Sequence, residues 1–341
     1  MLLTAAVVGV WLWAQAPTTW ALAAQVETSI ALRRVKLYDP PGQWGRPFPM
    51  SVTLSPDGKR LAVIAGGAER LLPSRSNQWL EVVAVPDGRP LWDFGDCRDV
   101  APRWHPSKPL LIKGDNLADK PWIDLAYVAS GRRRKMFRGA IGPFCWGSVG
   151  RLTTYGVAAP FASRTLTSRV PWCENATWLV QRLSCGPSDA VAAEILPVKS
   201  GFRAVAQYVE TYRKVPNRLR WVRAGRIDPK VEGRKVAWYP NNPDFLADGR
   251  LVYLRIYPAQ WTHSWNSSGR QTRGAPTARN RAEVWVCSLD GSNQRKVVTL
   301  WRLRPFIESP NSDWFTIDRA GRTICYLSWD RIRVLRLRKP L

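Results

Sequence analysis

The residues that could carry chemistry are few and scattered. The chain has two histidines, His105 and His263, and no pattern typical of a serine nucleophile, a zinc protease, a phosphate loop, a dinucleotide fold or an EF-hand. His105 directly precedes Pro106 at a turn, which favours a structural role, and His263 lies in a polar segment without an evident partner. The sequence therefore predicts no catalytic residue and no cofactor.

One acidic cluster could bind a metal ion. Asp93, Asp96 and Asp99 lie close together in a connecting segment, and carboxylates combined with backbone oxygens can hold Ca²⁺. Turn formation, capping or ion pairs with nearby arginines explain the same residues more simply. They are weak metal candidates, and the sequence predicts no metal site.

Basic residues are far more numerous than acidic ones. The chain carries 51 Lys and Arg against 26 Asp and Glu, a formal charge of +25. Such an excess attracts polyanions, although an arginine-rich composition could equally reflect coding bias. Four long segments, 68–78, 157–172, 211–221 and 258–281, concentrate basic and aromatic side chains between strand-like runs. The candidate binding residues are Arg164, Arg169, Trp172, Arg213, Lys214, Arg218, Arg220, Trp261, His263, Trp265, Arg270, Arg273 and Arg279.

The N-terminus indicates export. Residues 2–14 form an apolar run of the length of a signal-peptide core, too short to span a bilayer, and Ala21, Ala23 and Ala24 offer cleavage positions. No basic residue precedes the run, so an uncleaved segment associated with the membrane is the alternative. Residues 1–24 are therefore assigned as a signal peptide or N-terminal hydrophobic segment.

An exported chain can form disulfides, and this one has six cysteines. Cys173 and Cys185 bracket one strand-like run and are the favoured pair. Cys287 and Cys325 lie in alternating apolar runs and could equally be small buried thiols. No pair of cysteines has the spacing of a zinc ribbon or a thioredoxin motif.

A repeated sequence unit indicates how the candidate residues are arranged in the fold. Residues 54–63 read Leu-Ser-Pro-Asp-Gly-Lys-Arg-Leu-Ala-Val, an apolar residue, a tight turn, a basic residue and a strand. The same form recurs with turns at positions 108, 150, 249 and 321, so the spacings are 50, 42, 99 and 72. The gap of 99 predicts a hidden unit near residue 200, where Gly201 offers a turn. Six units result.

Each unit continues into a second pair of strands, as in residues 80–93. Four antiparallel strands per repeat are typical of a propeller blade. The last unit supplies only three strands, and the orphan run 29–38 could complete it and close the ring. The sequence thus predicts an all-β fold, a six-bladed β-propeller over residues 25–341, closed by an N-terminal strand.

The runs 54–62 and 284–296 resemble the two halves of a TolB-type propeller repeat, related to the WD40-like repeat family. The resemblance covers about residues 28–341. It implies a six-bladed envelope propeller located in the bacterial periplasm or outside the cell. TolB has a further N-terminal α/β domain for which this chain has no room, so the role of TolB is not carried over.

These patterns favour a non-catalytic, exported binding or scaffold propeller. Its partner is expected to be a protein or an anionic polysaccharide of the cell envelope, recognised by the basic, Trp-containing loops. Nucleic acid is a poorer candidate because export removes the chain from it. The alternative is a lactonase-like hydrolase or lyase with a divalent metal in the central channel. That alternative requires at least three convergent carboxylates or histidines from the innermost strands.

Overall fold

A computed structural model describes most of the strands. The described residues are 26–30, 48–66, 78–85, 87–98, 100–115, 118, 120, 122–138, 144–146, 152–155, 166–170, 178–197, 207–215, 221–233, 235–257, 281–301, 303, 313–328 and 331–341.

The described residues form 24 β-strands and a single 3₁₀ turn at Pro187–Asp189. The strands are β1 Val26–Ile30, β2 Phe48–Leu54, β3 Arg60–Gly66, β4 Gln78–Ala84, β5 Pro90–Asp96, β6 Arg103–Trp104, β7 Leu110–Asp115, β8 Trp122–Tyr127, β9 Arg132–Arg138, β10 Phe144–Trp146, β11 Leu152–Tyr155, β12 Leu166–Val170, β13 Trp178–Cys185, β14 Ala190–Pro197, β15 Tyr208–Lys214, β16 Trp221–Ile227, β17 Lys230–Glu232, β18 Lys235–Phe245, β19 Leu251–Ile256, β20 Arg281–Cys287, β21 Arg295–Trp301, β22 Phe315–Ile317, β23 Thr323–Leu327 and β24 Ile332–Arg336.

The strands form a β-propeller. Strands β2–β5, β6–β9 and β13–β16 form four-stranded sheets, β17–β21 form a five-stranded sheet, and β22–β24 form a sheet with β1. The innermost strands contact one another in the order β2, β6, β10, β13, β18 and β22, and β22 returns to β2. This ring surrounds a central channel, and the predicted all-β propeller is confirmed.

The described part of the chain has five complete blades, so the predicted number of six is wrong. The third unit contributes only the three-stranded sheet β10–β12, in which β11 and β12 pair in parallel. A blade is an antiparallel meander, and a parallel pair cannot be joined by a short turn. The predicted number was based on the number of turns, on the assumption that four regular strands accompany each turn.

The ring is closed by the N-terminal strand, as predicted. Strand β1 pairs antiparallel with β24, from Val26 opposite Arg336 to Ile30 opposite Ile332. The strand begins at Val26 rather than at Ser29, and residues 31–38 lie outside the described part. Pairing the two ends of the chain in one sheet removes a free edge and links the first and last strands.

The tight turns between the first and second strands of a blade have a common construction. In the first blade Asp57 Oδ1 accepts hydrogen bonds from Ser55 Oγ (2.5 Å) and the Lys59 N–H (3.1 Å). Gly58 adopts a φ of +69°, and a Cβ there would lie 2.9 Å from Asp318 Oδ2 of the last blade. Glycine is therefore required both by the turn and by the contact that seals the ring.

The predicted hairpin of the fourth unit is wrong. Gly201 lies outside the described residues, and the structure places this turn earlier, between β13 and β14. There the Gly186 N–H donates to the Ala190 carbonyl (2.8 Å) across Pro187–Asp189. The turn residues are the usual Gly, Pro, Ser and Asp in a different order, which the search for the common order missed.

Apolar side chains between the blades form the core, including Val52, Leu254, Val284, Phe315 and Tyr326. The middle strands are buried almost throughout, because neighbouring blades cover both of their faces. No helix in the described part of the chain has the length and apolar character needed to cross a bilayer.

The cysteines divide into one disulfide and several buried thiols. Cys185 pairs with Cys145, at a Cα–Cα distance of 5.5 Å, and not with Cys173 as predicted. Cys173 lies outside the described residues. Cys145 was missed because it is 40 residues away in sequence, whereas the innermost strands β10 and β13 are neighbours in the ring. Cys97, Cys287 and Cys325 are buried free thiols, and burial raises the pKa of Cys287 to about 12.

Candidate functional site

A cavity of about 690 Å³ lies at one mouth of the channel. Turns between first and second strands surround it, so we call this side of the ring the turn face. The connections between second and third strands leave from the opposite side, the loop face, because adjacent strands run antiparallel. The cavity is lined by residues 55–57, 60, 104–109, 146, 186, 187, 247 and 319.

Aromatic side chains form one wall of this cavity. Trp104 Nε1 donates to the Thr53 carbonyl (2.8 Å), and Trp146 Nε1 donates to the Arg103 carbonyl (3.0 Å). The ring of His105 lies 4.9 Å from the Trp146 ring, tilted by 57°. Because both indole N–H groups are bound to backbone, the aromatic faces are held in fixed positions along the wall.

His105 supports the second turn and is not placed as a catalytic base. Its Nδ1 accepts the backbone N–H groups of Ser107 and Lys108, each at 3.2 Å. Burial, and to a smaller degree the positive charge of Lys108, lower the pKa of this imidazole. A neutral ring is needed to accept these bonds, so the structural role predicted for His105 agrees with its contacts.

The cavity is lined by three cations and one carboxylate. Asp57 lies 3.9 Å from Arg60. Burial alone would raise the pKa of Asp57, but hydrogen bonds from Ser55 and Lys59 and the charge of Arg60 outweigh it, so the pKa is lowered. Lys108 is exposed and has no carboxylate partner among the described residues. The lining therefore has an excess of positive charge.

Arg319 forms the floor on the side of the last blade. Its Nη1 donates to the Phe245 carbonyl (3.2 Å) and its Nη2 to the Cys185 carbonyl (2.6 Å). Burial lowers the pKa of this guanidinium. No carboxylate forms an ion pair with Arg319 in the described part of the chain; its hydrogen bonds go to carbonyls, and the charge of Asp244 attracts it from a longer distance.

Below the mouth, the channel narrows to a space of about 60 Å³ lined by Arg103, Arg182, Asp244 and the Cys145–Cys185 disulfide, among others. The two arginines come from the innermost strands β6 and β13. Their guanidinium groups converge on Asp313, which precedes the innermost strand β22. Three blades thus supply one charged cluster in the middle of the channel.

Asp313 is bound on every side. Arg103 Nη1 and Arg182 Nη1 donate to its two carboxylate oxygens, and Thr53 Oγ1 donates to Oδ2 at 3.2 Å. Its backbone N–H donates to Ser51 Oγ (3.0 Å). The Asp313 and Arg182 side chains are 2% and 5% exposed. Charges buried this deeply are stable only when they are paired.

Glu194 forms a second buried carboxyl group without a direct cation. It accepts hydrogen bonds from Gln207 Nε2 (3.0 Å), Asn241 Nδ2 (2.9 Å) and the Asn242 N–H (2.7 Å). Burial outweighs these bonds and the attraction of Arg182, and it raises the pKa of Glu194 to about 7. Asn242 Oδ1 in turn accepts the N–H groups of Trp314 and Phe315 in the next blade.

This second cluster can exchange a proton near neutral pH. Asn241 Oδ1 is buried without a hydrogen-bond partner among the described residues. If the Asn241 amide rotated by half a turn, that oxygen would face Glu194 and accept the proton of its neutral form. The cluster therefore has an arrangement for each protonation state of Glu194.

The described residues of the channel do not present the donor set that a divalent metal requires. No group of three or more His, Cys, Asp or Glu that could hold a metal occurs among the described residues. Guanidinium groups occupy both oxygens of Asp313, and amides surround Glu194. The convergent carboxylates on which the metal-dependent alternative depends are not present in the described part of the channel.

Most of the predicted binding residues lie outside the described part of the chain. They are Arg164, Trp172, Arg218, Arg220, Trp261, His263, Trp265, Arg270, Arg273 and Arg279. Arg169 lies in β12, opposite Thr154. Arg213 and Lys214 end strand β15 rather than lying in a loop; Arg213 is exposed, and Lys214 Nζ lies 3.9 Å from Asp189 Oδ2. The segment 211–221 joins the third and fourth strands β15 and β16, so its predicted place on the loop face is wrong. For the remaining segments the basic loop face stays a prediction.

The weak metal candidates have ordinary roles where they are described. Asp93 Oδ1 accepts the Gly95 N–H (2.9 Å), and the Asp96 carbonyl accepts Lys113 Nζ (2.8 Å). Asp99 lies outside the described residues. The predicted place of Asp93 and Asp96 in a connecting segment is wrong, because both lie in strand β5.

Sequence reasoning missed the channel residues Arg103, Arg182, Glu194 and Asp313. One signal was available, because Glu194 is the single charge in the apolar run 190–196 and Arg182 interrupts a strand of mostly apolar residues. A charge at the centre of a buried strand indicates a partner from elsewhere in the fold. Identifying that partner required the ring order of the blades.

The chain is similar in fold to several solved propellers. No protein-family model matches the sequence, and no curated protein matches it. A putative TolB from Agrobacterium tumefaciens is 13% identical, with 93% of this chain and 98% of that chain covered and a TM-score of 0.45.

Two further propellers are similar at this level. The β-propeller domain of the Trilobed protease from Pyrococcus furiosus is 9% identical (85% and 96% covered, TM-score 0.44). An oligogalacturonate lyase from Vibrio parahaemolyticus is 8% identical (91% and 96% covered, TM-score 0.39). The resemblance to TolB-like propellers is thus found again as a likeness of fold, which does not distinguish a binding role from an enzymatic one.

Proposed function

We propose that the protein is an exported, non-catalytic binding propeller that recognises an anionic polymer or the acidic surface of a protein partner. The observation that carries the proposal is the turn-face cavity of about 690 Å³, whose lining holds Arg60, Lys108 and Arg319 against the single carboxylate of Asp57. A concave site with fixed aromatic walls and a few charged groups is the usual form of a ligand site.

The lining has the chemistry of anion recognition. Arginine binds carboxylate, sulfate and phosphate groups through paired N–H donors, and an exposed lysine adds a mobile positive charge. Trp104 and Trp146 are largely buried but line the cavity, and they offer apolar surface against which a sugar ring or a peptide side chain can pack. The ligand is expected to place an acidic group near Lys108 and an uncharged part against the tryptophans.

Export is supported by the disulfide. Disulfides persist in oxidising compartments such as the periplasm and are rare in the cytosol. The bond between Cys145 and Cys185 joins the incomplete sheet β10–β12 to the next blade. The N-terminal segment 1–24 remains assigned as a signal peptide or an anchor, and sequencing the mature N-terminus distinguishes the two.

The loop face is a second proposed contact area for the same class of ligand. Arg270 and Arg273 lie in its basic connection between β19 and β20, and these residues are outside the described part of the chain. Arg218 and Arg220 lie between β15 and β16, the third and fourth strands of their blade, and so do not belong to the loop face. A long polymer could contact both faces, whereas a short one could occupy only one of them. Oligosaccharide length therefore separates the two areas experimentally.

The test uses short heparin oligosaccharides as probes and tryptophan fluorescence as the readout. We expect Lys108→Glu to weaken binding by about tenfold, because one attractive charge becomes repulsive. Lys59→Glu is the matched control, since Lys59 is exposed in a neighbouring turn but does not line the cavity. Its affinity should stay within about twofold of the parent.

Three outcomes would overturn parts of the proposal. If Lys108→Glu and Lys59→Glu weakened oligosaccharide binding equally, the cavity would not be the binding site. Loss of binding on changing Arg270 and Arg273 to Gln, with no effect of Lys108→Glu, would move recognition to the loop face. Shortening of the oligosaccharide during the titration would favour the hydrolase or lyase alternative over a binding role.

A further inference from the structure

A different surface, on the outer rim of the second blade, carries an inference independent of the cavity. Strand β9 is the outermost strand of the sheet β6–β9 and pairs only with β8 in the described part of the chain. No described strand pairs with the backbone N–H and C=O groups of its second edge. Such an edge can accept a further strand.

The side chains of β9 are almost all basic and exposed. The exposed cations are Arg132, Arg133, Arg134, Lys135 and Arg138. The hairpin turn lies before this run, at residues 128–131, and the run itself is the strand. No carboxylate forms an ion pair with any of the five among the described residues; Arg133 Nη1 instead donates to the Phe94 carbonyl (3.1 Å).

Other outer strands have their charges balanced. Glu210, on β15, pairs with Arg223 and Arg226 of the outer strand β16, and Glu283 pairs with Lys296 of β21. Strand β5 itself contains the acidic residues Asp93 and Asp96. The unbalanced charge is therefore particular to β9 and is not a general property of the rim.

An exposed tryptophan borders the basic strand. Trp92, on the outer strand β5 of the neighbouring blade, is 38% exposed. Its ring lies against Gly131, directly before β9, where a Cβ would come within 2.5 Å of the indole. An amphipathic ring beside a charged strand edge adds apolar contact area for a ligand that lies along the edge.

The alternation of the cations indicates the shape of the ligand. Successive side chains of a strand point to opposite faces of the sheet, so Arg132 and Arg134 project to one face and Arg133 and Lys135 to the other. A polymer lying on one face would meet only one of these pairs. An extended peptide in the plane of the sheet meets both, and its own backbone pairs with the free edge.

We propose that β9 is a docking edge for an acidic, extended peptide segment, which adds as a further strand to the second blade. Its backbone pairs with the free edge of β9, and its carboxylates lie beside the basic side chains on both faces. The charge complementarity favours a peptide rich in Glu or Asp. A basic edge that served only to prevent strand pairing between copies of the chain would bind no such peptide.

The experiment measures fluorescence anisotropy of a labelled peptide of about eight residues, rich in glutamate with interspersed threonine. The comparison peptide has the same sequence with alternate backbone amides N-methylated, which keeps the charge but removes N–H donors. We expect saturable binding of the first and at least about tenfold weaker binding of the second. Equal binding of both would show charge attraction without strand addition and would overturn the proposal.

A charge-reversed pair locates the site. Arg133→Glu with Lys135→Glu should weaken peptide binding by about tenfold or more. Arg295→Glu with Lys339→Glu makes the same change in net charge at exposed positions on other blades and should have little effect. Equal losses in the two double variants would overturn the assignment to β9. Circular dichroism of all variants verifies that they are folded.

Two further measurements distinguish this inference from the proposed function. Binding of the acidic peptide should be unaffected by Lys108→Glu, which belongs to the cavity. Hydrogen exchange should show slower exchange in residues 132–138 when the peptide is bound. Preference for heparin over the peptide at β9, without slower exchange, would indicate an anionic polymer as the occupant and contradict strand addition.

Discussion

The middle and the mouth of the channel are both rich in charge, but they use it differently. In the middle, Asp313 receives two guanidinium groups and Glu194 receives three hydrogen bonds. At the mouth, Lys108 is exposed without a carboxylate partner and Arg319 is bound only to carbonyls among the described residues. The middle is closed to a ligand by its own contacts, whereas the mouth leaves its charges available.

This difference separates stability from recognition. Removing one member of a buried, mutually paired set leaves an uncompensated charge in the interior, which destabilises the fold. Changing an exposed, unpaired side chain costs almost no stability but removes an interaction that a ligand would use. The two regions should therefore respond to substitution in opposite ways.

The largest effect is expected for Asp313→Asn. Without the carboxylate, Arg103 and Arg182 would remain side by side as buried like charges, and we expect a loss of about 3–5 kcal/mol in the free energy of unfolding. Urea unfolding followed by fluorescence measures it. Asp57→Asn at the mouth is the control and should lose less than about 1 kcal/mol. Similar losses in both variants would abolish the distinction between the regions.

The next effect is expected at the disulfide, which lies between the two regions. Changing Cys145 and Cys185 to Ser should lower the free energy of unfolding by about 2–4 kcal/mol, because the unfolded chain regains the freedom of a loop of 40 residues. Unfolding with and without reductant gives the same comparison in the parent protein. If reductant had no effect, the pairing of these cysteines would be contradicted.

A smaller effect should depend on pH. The folded pKa of Glu194, about 7, lies above its ordinary value of 4.5, so unfolding releases a proton between these values. Stability from this group is complete below pH 4.5 and falls by about 3 kcal/mol as the pH rises from 4.5 to 7. Glu194→Gln should remove this slope from the pH profile of urea unfolding. If the parent and Glu194→Gln showed the same dependence of unfolding free energy on pH, ionisable groups other than Glu194 would be responsible for it.

The smallest effect on stability is expected at the mouth. Lys108→Glu should change the free energy of unfolding by no more than about 0.5 kcal/mol, although it reverses the charge in the cavity. Thermal and urea unfolding measure this directly. A loss comparable to that of Asp313→Asn would mean that Lys108 has a structural partner and would weaken its assignment to ligand binding.

The propeller was predictable from the sequence because each tight turn is determined by residues that are neighbours in the chain. Asp57, Gly58 and Asp318 fix tight turns by hydrogen bonds to their own neighbours, so the repeat is visible without any knowledge of packing. The number of complete blades was not predictable from the sequence, since the parallel pairing of β11 and β12 depends on tertiary contacts. The turn at Pro187–Asp189 was missed because the same residue types occur there in another order.

The charged residues in the middle of the channel, in contrast, could not be predicted from local sequence. Arg103, Arg182 and Asp313 are distant in sequence and meet only because three blades converge at the axis. The isolation of Glu194 and of Arg182 in mostly apolar runs indicated burial, but it did not indicate which residues they would contact. Partners that come from different blades cannot be read from local pattern, and the Cys145–Cys185 pair was mispredicted for the same reason.

Hydrogen–deuterium exchange with a bound heparin oligosaccharide tests the central claim most directly. If the mouth of the channel is the recognition site, exchange should slow in the turns around residues 55–60 and 105–109, while the middle of the channel stays as protected as before. Slower exchange confined to the opposite face of the ring, with these turns unchanged, would contradict the account.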